Sequence, residues 1–430
     1  MTLLIIADDL SGAADCAIAF ASNGLHTVVS LDPAHTTGDA QVVAIDTDTR
    51  RLTPREAGAR AMVACQAYLK GGQRLYKKID STLRGNWAAE VAALQALAGL
   101  AIVAPAFPAT GRTTLNGQVL VNGQPLESTD TWQLEHAGRS ADLSVMLAEA
   151  GLHSTRLSLA ALRSDPATLA EHIAEIARGE TQALIVDAQT SEDLRRLAQV
   201  TAGMSDDLFW VGSGGLAREI ALLPELLATA GPRTTPARNQ RAPILVLVGS
   251  LSAVSERQCV MLQDRAGLHT LTVTPQVLRD GIQHADWHLW QQRIGQCLEH
   301  GEDLLLRIGQ DAAFDPAEGA VLSAALAELV GPHFHRVGGL IATGGETARA
   351  MLSAVGIGSL KLECEIEAGV AFGTPVASRE GHYPGVITKA GAFGTDHALY
   401  ASWLYLSDAA EPSARTEGSV SFPAPQGEQS

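Results

Sequence analysis

The chain has 430 residues, 46% of them hydrophobic, so it can bury a large core and is long for one ordinary domain. A formal net charge of −16 argues against a nucleic-acid partner, and any anionic ligand must be met by local cations. Five scattered cysteines without a Cys-x-x-Cys pair exclude a disulfide framework and a zinc site, and no apolar run approaches the roughly 20 residues of a membrane span. With no basic region ahead of the first apolar run, the expectation is a cytoplasmic protein with reduced, mostly buried thiols and no membrane partner.

The apolar run 1–7 is followed by Asp8-Asp9-Leu10-Ser11-Gly12-Ala13-Ala14-Asp15 and the apolar stretch 16–21, which reads as strand, turn and helix start. Ligands of an open α/β sheet sit at the carboxyl ends of its strands, so two carboxylates there are placed for chemistry as well as for capping. Both would repel if buried, so one is expected to cap or bond backbone, Asp8 being the candidate, while the other faces the cleft. Further strands are predicted over 26–30, 42–46, 74–79, 101–104, 183–187 and 208–211, alternating with Ala/Leu-rich helical stretches in the pattern of a parallel sheet.

After the fourth strand comes the densest cluster of chemistry, Lys77-Lys78-Ile79-Asp80-Ser81-Thr82-Leu83-Arg84-Gly85-Asn86. It suits a small, acidic, hydroxylated ligand. Arg84 can fork onto a carboxylate or phosphate, Ser81 and Thr82 can bond its oxygens, and Asp80 can accept from a sugar hydroxyl. The competing reading makes Asp80 or Ser81 the N-cap of an Ala-rich helix over 87–100. Farther on, Gly212-Ser213-Gly214-Gly215 resembles a dinucleotide loop but lacks the Gly-x-Gly-x-x-Gly spacing.

The polar, proline-bearing segment 231–241 reads as a linker, dividing the chain into an N-terminal domain over 1–230, a linker over 231–242 and a C-terminal domain over 243–409; residues 410–430 are expected to be a disordered tail. Strands of the second domain are predicted over 244–248, 268–273, 304–308, 339–342 and 385–388. Three turns there, Gly249-Ser250-Leu251-Ser252, Gly344-Gly345-Glu346-Thr347 and Gly391-Ala392-Phe393-Gly394, each follow a strand and precede a helical stretch. Their backbone N–H groups can converge on an anion, and three such turns suit a nucleoside triphosphate. No Walker or protein-kinase element is present. His333, His335 and His382 lack metal-ligand spacing and read as solvated or capping, so no protein metal site is expected. Glu363, Glu365 and Glu367 alternate with apolar residues, as on a strand with a solvated acidic face or edge.

Five ordered motifs, the Asp8–Asp15 run, the 77–86 cluster, Ala104-Pro105-Ala106-Phe107-Pro108-Ala109-Thr110-Gly111-Arg112-Thr113-Thr114, Thr343-Gly344-Gly345-Glu346-Thr347-Ala348 and Lys389-Ala390-Gly391-Ala392-Phe393-Gly394, together resemble the four-carbon acid-sugar kinases over residues 1 to about 407. The resemblance implies two α/β domains with largely parallel sheets around a ligand cleft, and an ATP-dependent kinase of carbohydrate metabolism. Its acceptor would be the 4-hydroxyl of D-threonate foremost, otherwise D-erythronate or 3-oxo-tetronate. Carried over residue by residue, Asp8, Asp9, Arg50, Lys78, Asp80, Ser81, Thr82, Leu83 and Arg84 would hold the acid, with Arg51 leaving the arginine's register open by one. Ser250 or Ser252, Gly344, Gly345, Glu346, Thr347, Lys389, Gly391, Ala392, Phe393 and Gly394 would hold ATP, with Mg2+ arriving on the nucleotide. The base that orients the attacking hydroxyl is open between Asp9 and Asp80, with Asp9 favoured. The chain departs from the family at Ala14, where asparagine is frequent, and at Ala390, where serine is common. A dehydrogenase lacks its fingerprint here. A non-catalytic acid-sugar sensor would not need three phosphate-type turns, and a homo-oligomer is compatible with everything above.

Overall fold

The computed structural model describes residues 1–32, 38–136, 138–204, 207–228, 242–312, 315, 318–377, 381–391 and 393–408. The expected linker falls almost wholly outside these residues, as do the tail and Ala392. Among them the strands are β1 Thr2–Ala7, β2 Thr27–Ser30, β3 Val42–Asp46, β4 Gln73–Lys78, β5 Leu100–Ala104, β6 Arg112–Leu115, β7 Gln118–Val121, β8 Gln124–Pro125, β9 Ser154–Leu157, β10 Ala183–Val186, β11 Leu208–Gly212, β12 Ile244–Val248, β13 His269–Val273, β14 Leu304–Ile308, β15 Gly339–Thr343, β16 Ser359–Glu367, β17 Val370–Pro375 and β18 Gly385–Lys389. The fold is α/β and mostly parallel, as expected. All twelve strands predicted from the sequence are present, shifted by at most a residue or so at either end.

Fifteen strands form one sheet in the order β13-β14-β12-β15-β18-β17-β16-β2-β3-β1-β4-β11-β5-β10-β9, and β6, β7 and β8 form a separate small sheet. Central strands such as Leu3–Ile6 in β1 and Leu245–Leu247 in β12 are buried throughout, because helices cover both faces and leave no polar side. The two parallel halves are therefore joined through the antiparallel hairpin β16–β17 rather than lying as separate sheets, with β16 pairing β2 and β17 pairing β18.

This hairpin has a geometric consequence. Three successive antiparallel pairings reverse strand direction, so in a flat sheet the carboxyl ends of β1, β3 and β4 would point away from those of β12, β15 and β18. They nevertheless meet, and the sheet must turn over through the hairpin to bring them together. Register shifts between Leu362 and Cys364 and between Glu365 and Glu367 mark irregularities of the kind that bend and twist a strand pair.

The reading of Glu363, Glu365 and Glu367 as a solvated acidic face or edge is corrected here. The three carboxylates are half-buried and engaged: Glu363 accepts from Thr374 Oγ1, Glu365 pairs with Arg218, and Glu367 accepts from the Thr395 backbone N–H and hydroxyl. Gly214 and Gly215 are buried against the Ala106–Phe107 segment at the start of the Gly214–Ile220 helix, with Ser213 as N-cap and Tyr76 Oη donating to its carbonyl, so this loop serves packing. Cys16, Cys65, Cys259, Cys297 and Cys364 are free thiols, the first four buried. No helix of the described residues is long and apolar enough to cross a membrane.

Candidate active site

The first strand ends at Ala7, Asp8 and Asp9 follow it, and the Leu10–Ala21 helix starts at once. Asp9 is its N-cap, with Oδ1 accepting from the Gly12 backbone N–H at 2.9 Å. The expectation that Asp8 is the capping partner is thus reversed. Asp8 is 3% exposed and takes a bidentate contact from Arg50, Nε to Oδ2 at 2.8 Å and Nη2 to Oδ1 at 2.9 Å. The same guanidinium also bonds both Asp9 oxygens at 2.9 Å. Two adjacent carboxylates can coexist because one planar cation lies across both. Burial pushes Asp8 up, but the Arg50 charge and hydrogen bonds outweigh it, with Lys77 and Lys78 behind them, and its pKa is lowered. The donors of Arg50 are thereby engaged within the protein.

Beyond β4 the chain turns sharply. Asp80 Oδ1 accepts from the Thr82 backbone N–H at 2.8 Å and from its hydroxyl at 2.5 Å, and Arg84 Nη2 reaches Asp80 Oδ2 at 2.7 Å. Asp80 is therefore a turn-forming carboxylate and not an N-cap; the Trp87–Ala98 helix starts at Asn86 without a side-chain cap. Burial alone would raise Asp80, yet Arg84, Arg50 and Lys78 hold it well below the usual carboxylate range. Such an acid has little tendency to take a proton.

Leu83 is wholly buried with φ +58°, a left-handed conformation that costs about 1–2 kcal/mol for a residue with a side chain. It is offset by the contacts the turn permits. Gly85, at φ +79°, lies so close to Asp8 that a Cβ would stand 2.7 Å from Oδ2. Ser81, Thr82 and Lys78 are all buried around this turn. Underneath, Lys77 and Glu90 form a fully buried ion pair at 2.9 Å, and Thr49 donates to Glu90 at 2.6 Å. The sequence reading missed Glu90, which looks like an ordinary helix residue.

Across the cleft the site is made of backbone. Ser252 caps the Ala253–Ala266 helix, accepting from Ser255 N–H at 3.1 Å, while Ser250 Oγ lies 3.2 Å from Ser252 Oγ. Ser255, which the sequence reading did not single out, donates to Gly391 O at 2.8 Å and ties the first glycine turn to the third. Thr347 is buried, with its hydroxyl 3.1 Å from Ser323 Oγ, and so serves packing in this state.

Lys389 calls for a correction to its role as a cation facing ligand. Its Nζ is enclosed by the carbonyls of Ala390, Gly391 and Phe393, each at 3.0 Å. Burial lowers its pKa to about 8. Lys389 holds the carbonyls of Ala390, Gly391 and Phe393 in place, helped by Gln258, which donates to the carbonyls of Phe393 and Thr395.

The two walls touch. A Cβ on Gly345 would lie 3.0 Å from Asp9 Oδ2 and 3.1 Å from Ser11 Oγ, so only glycine lets the second turn approach the first helix this closely. Arg51 Nε meets Glu346 Oε1 at 2.5 Å, which gives the neighbour of Arg50 its own partner. Arg349 reaches from the Gly345–Ala354 helix to buried Asp46 at 2.5 Å, to Asp48 at 3.3 Å and to the Leu31 carbonyl at 3.2 Å. Arg218 forks onto Glu365. Burial pushes Glu346 up and the Asp46 carboxyl up to about 7. None of these cross-cleft ion pairs was read from the sequence, because their partners are as much as 303 residues apart.

Residues 3–220 match a family model described as a sugar-binding N-terminal domain, and residues 245–399 match one described as a nucleotide-binding C-terminal domain. The chain is 54% identical over 417 residues, covering 96% of itself and 100% of the relative, to a D-threonate kinase of Cupriavidus necator. It belongs to the four-carbon acid-sugar kinase family. A D-threonate kinase of Bordetella bronchiseptica is 32% identical over 92% of this chain and 95% of its own length. A Salmonella typhimurium LT2 crystal structure shares the fold with a TM-score of 0.76 at 20% identity, covering 93% of this chain and 98% of that one.

Proposed function

We propose that this protein transfers the γ-phosphoryl group of ATP to the 4-hydroxyl of D-threonate, with the acid held by the N-terminal half and the nucleotide by the C-terminal half. The observation that carries the reading is the approach of Gly345 to Asp9, which sets a backbone-lined, phosphate-type turn against a carboxylate at a strand end. Phosphoryl transfer needs chiefly alignment and charge neutralisation, and two opposed walls supply both while excluding water.

Within this reading Arg84, Ser81 and Thr82 meet the carboxylate and hydroxyls of the acid, and Lys78 adds positive potential. Arg50 keeps Asp8 ionised and, bonded to both oxygens of Asp9, fixes the direction of that carboxylate. Asp9, cap-bonded through Oδ1, presents Oδ2 toward the turn at Gly345 and is better placed than Asp80 to orient the attacking hydroxyl. Ser250, Ser252, Gly344 and the 391–394 loop receive the phosphates through N–H groups and hydroxyls. Among the described residues the only three-donor His/Cys/Asp/Glu cluster is His269, Cys297 and Glu302, remote in chemistry from a magnesium site. Asp9 and Glu346 are the carboxylates beside the Gly345 turn, each already paired with an arginine, so a magnesium ion would take most of its ligands from nucleotide and water and would supply charge neutralisation at the phosphates.

An ADP-release assay over the four-carbon acids tests the proposal. Turnover with D-threonate above D-erythronate and 3-oxo-tetronate is the expected result. Binding of an acid without ADP release would mark a sensor instead, and preference for another acid would move the substrate assignment while keeping the chemistry.

A further inference from the structure

We propose that Arg112 is a catalytic residue, the cation that meets the phosphoryl group as it passes between the two walls. This rests on the kinase reading above but not on which acid is the acceptor. Arg112 opens β6, and its backbone is fixed by two bonds to Phe107, N–H to O at 3.1 Å and Phe107 N–H to its carbonyl at 2.8 Å. From that rigid point the guanidinium reaches the cleft and lies 5.5 Å over the ring of Phe393 in the opposite, nucleotide-side loop.

Its surroundings are unlike those of the other arginines at this site. Arg50 and Arg84 pair with Asp8, Asp9 and Asp80, and Arg51, Arg218 and Arg349 bridge to carboxylates across the cleft. Arg112 is half-buried, yet among the described residues it has no carboxylate partner. One N–H reaches the Thr110 carbonyl at 3.3 Å, and its buried Nε has no acceptor. Burial lowers its pKa, with Asp80 pulling the other way and Arg84 adding to the repulsion. A cation kept partly out of water without an ion pair is costly, and one aimed between substrate-side and nucleotide-side loops is explained by an anion that is present only during turnover.

The step it would serve balances without a co-reactant. The acceptor hydroxyl oxygen forms a bond to Pγ while the bond from Pγ to the β–γ bridging oxygen breaks. ADP leaves with that electron pair, and the hydroxyl proton passes to a carboxylate or to solvent. The three equatorial oxygens of the group in flight carry the charge that a fixed guanidinium stabilises more than it stabilises the ground state.

The test compares wild type, Arg112→Ala and Arg112→Lys by calorimetry with ADP alone and with ADP plus aluminium fluoride and magnesium, a mimic of the transferring group, alongside kcat and melting temperature. Wild type should bind the mimic more tightly than ADP. Arg112→Ala should lose that gain and fall about 10²- to 10³-fold in kcat, with ADP and acid affinity changed by less than about threefold. Lysine should restore part of both. The melting temperature of Arg112→Ala should hold or rise, because no ion pair is lost, whereas a structural arginine would lower it. No tightening by the mimic in wild type, equal tightening in the alanine variant, or a loss confined to acid affinity would overturn the assignment. Tightening in wild type with no turnover of any four-carbon acid would instead sink the substrate reading and leave the arginine's role standing.

Discussion

The two walls of the cleft are built on opposite plans. The N-terminal wall is a lattice of charged side chains, Asp8, Asp9, Arg50, Asp80 and Arg84, each held by a partner before any ligand arrives. On the C-terminal wall three turns lie at strand ends, with serine hydroxyls and one buried lysine fixing their shape. A small acid with several hydroxyls must be recognised by direction, which needs rigid side chains. A phosphate chain is recognised by many N–H donors at once, which needs backbone that can come close. The difference says that charge deletions should act on the first wall through rate and stability, and on the second through the geometry of a loop.

The sharpest break of this contrast is at Asp8 and Asp9. Asp9→Asn keeps a good cap residue but removes the charge facing the cleft, so kcat should fall about 10²- to 10⁴-fold, with a smaller loss of stability than at Asp8 because Asp9 is the more exposed of the two carboxylates that Arg50 bonds. Asp8→Asn should do the reverse, lowering stability by about 3 kcal/mol or more, since it leaves part of a buried guanidinium contact uncompensated. Parallel measurement of kcat and thermal unfolding separates the two. A rate collapse in Asp8→Asn with an active Asp9→Asn would show that Asp9 is not the carboxylate that matters.

On the other wall, Lys389→Met should weaken ADP binding by about ten- to a hundredfold, because three charge-assisted bonds to loop carbonyls are lost, each carbonyl then needing a new donor. Acid affinity should stay as in wild type, and calorimetry with each ligand reads both. Equal loss of the two affinities would mean that the loop and the acid cluster fold as one unit.

Where the halves meet, the expected effect is on stability alone and is read as a trend with pH. With the Asp46 carboxyl raised from 3.8 to about 7 in the folded protein, folding takes up a proton between those values. The stability that Asp46 contributes is present below the lower value and is lost as pH rises through the upper one. The melting temperature of wild type relative to Asp46→Asn should therefore decline from about pH 4 to about pH 7. A flat difference across that range would mean that Arg349 keeps the carboxylate ionised throughout.

Much of this was legible in the chain itself. Apolar runs such as Leu3–Ile6 and Leu245–Leu247 announce buried parallel strands because both faces of such strands must be apolar. Chemistry-bearing residues follow those strands directly, so Asp9, Asp80, Arg84, Ser252 and Gly345 stand out as candidates from local order, whereas the reaction class came from the resemblance of five motifs to a known family. What the sequence could not convey is which charges meet. That Asp9 rather than Asp8 is the cap, that Arg50 lies across both, that Lys389 faces carbonyls, and that Arg112 has no carboxylate partner among the described residues are set by side-chain directions within a few ångströms. The joining of two parallel halves through β16–β17 was likewise decided only in three dimensions. Strand pairing between β2 and β16 links residues more than 300 positions apart, and no local period or propensity encodes so distant a neighbour.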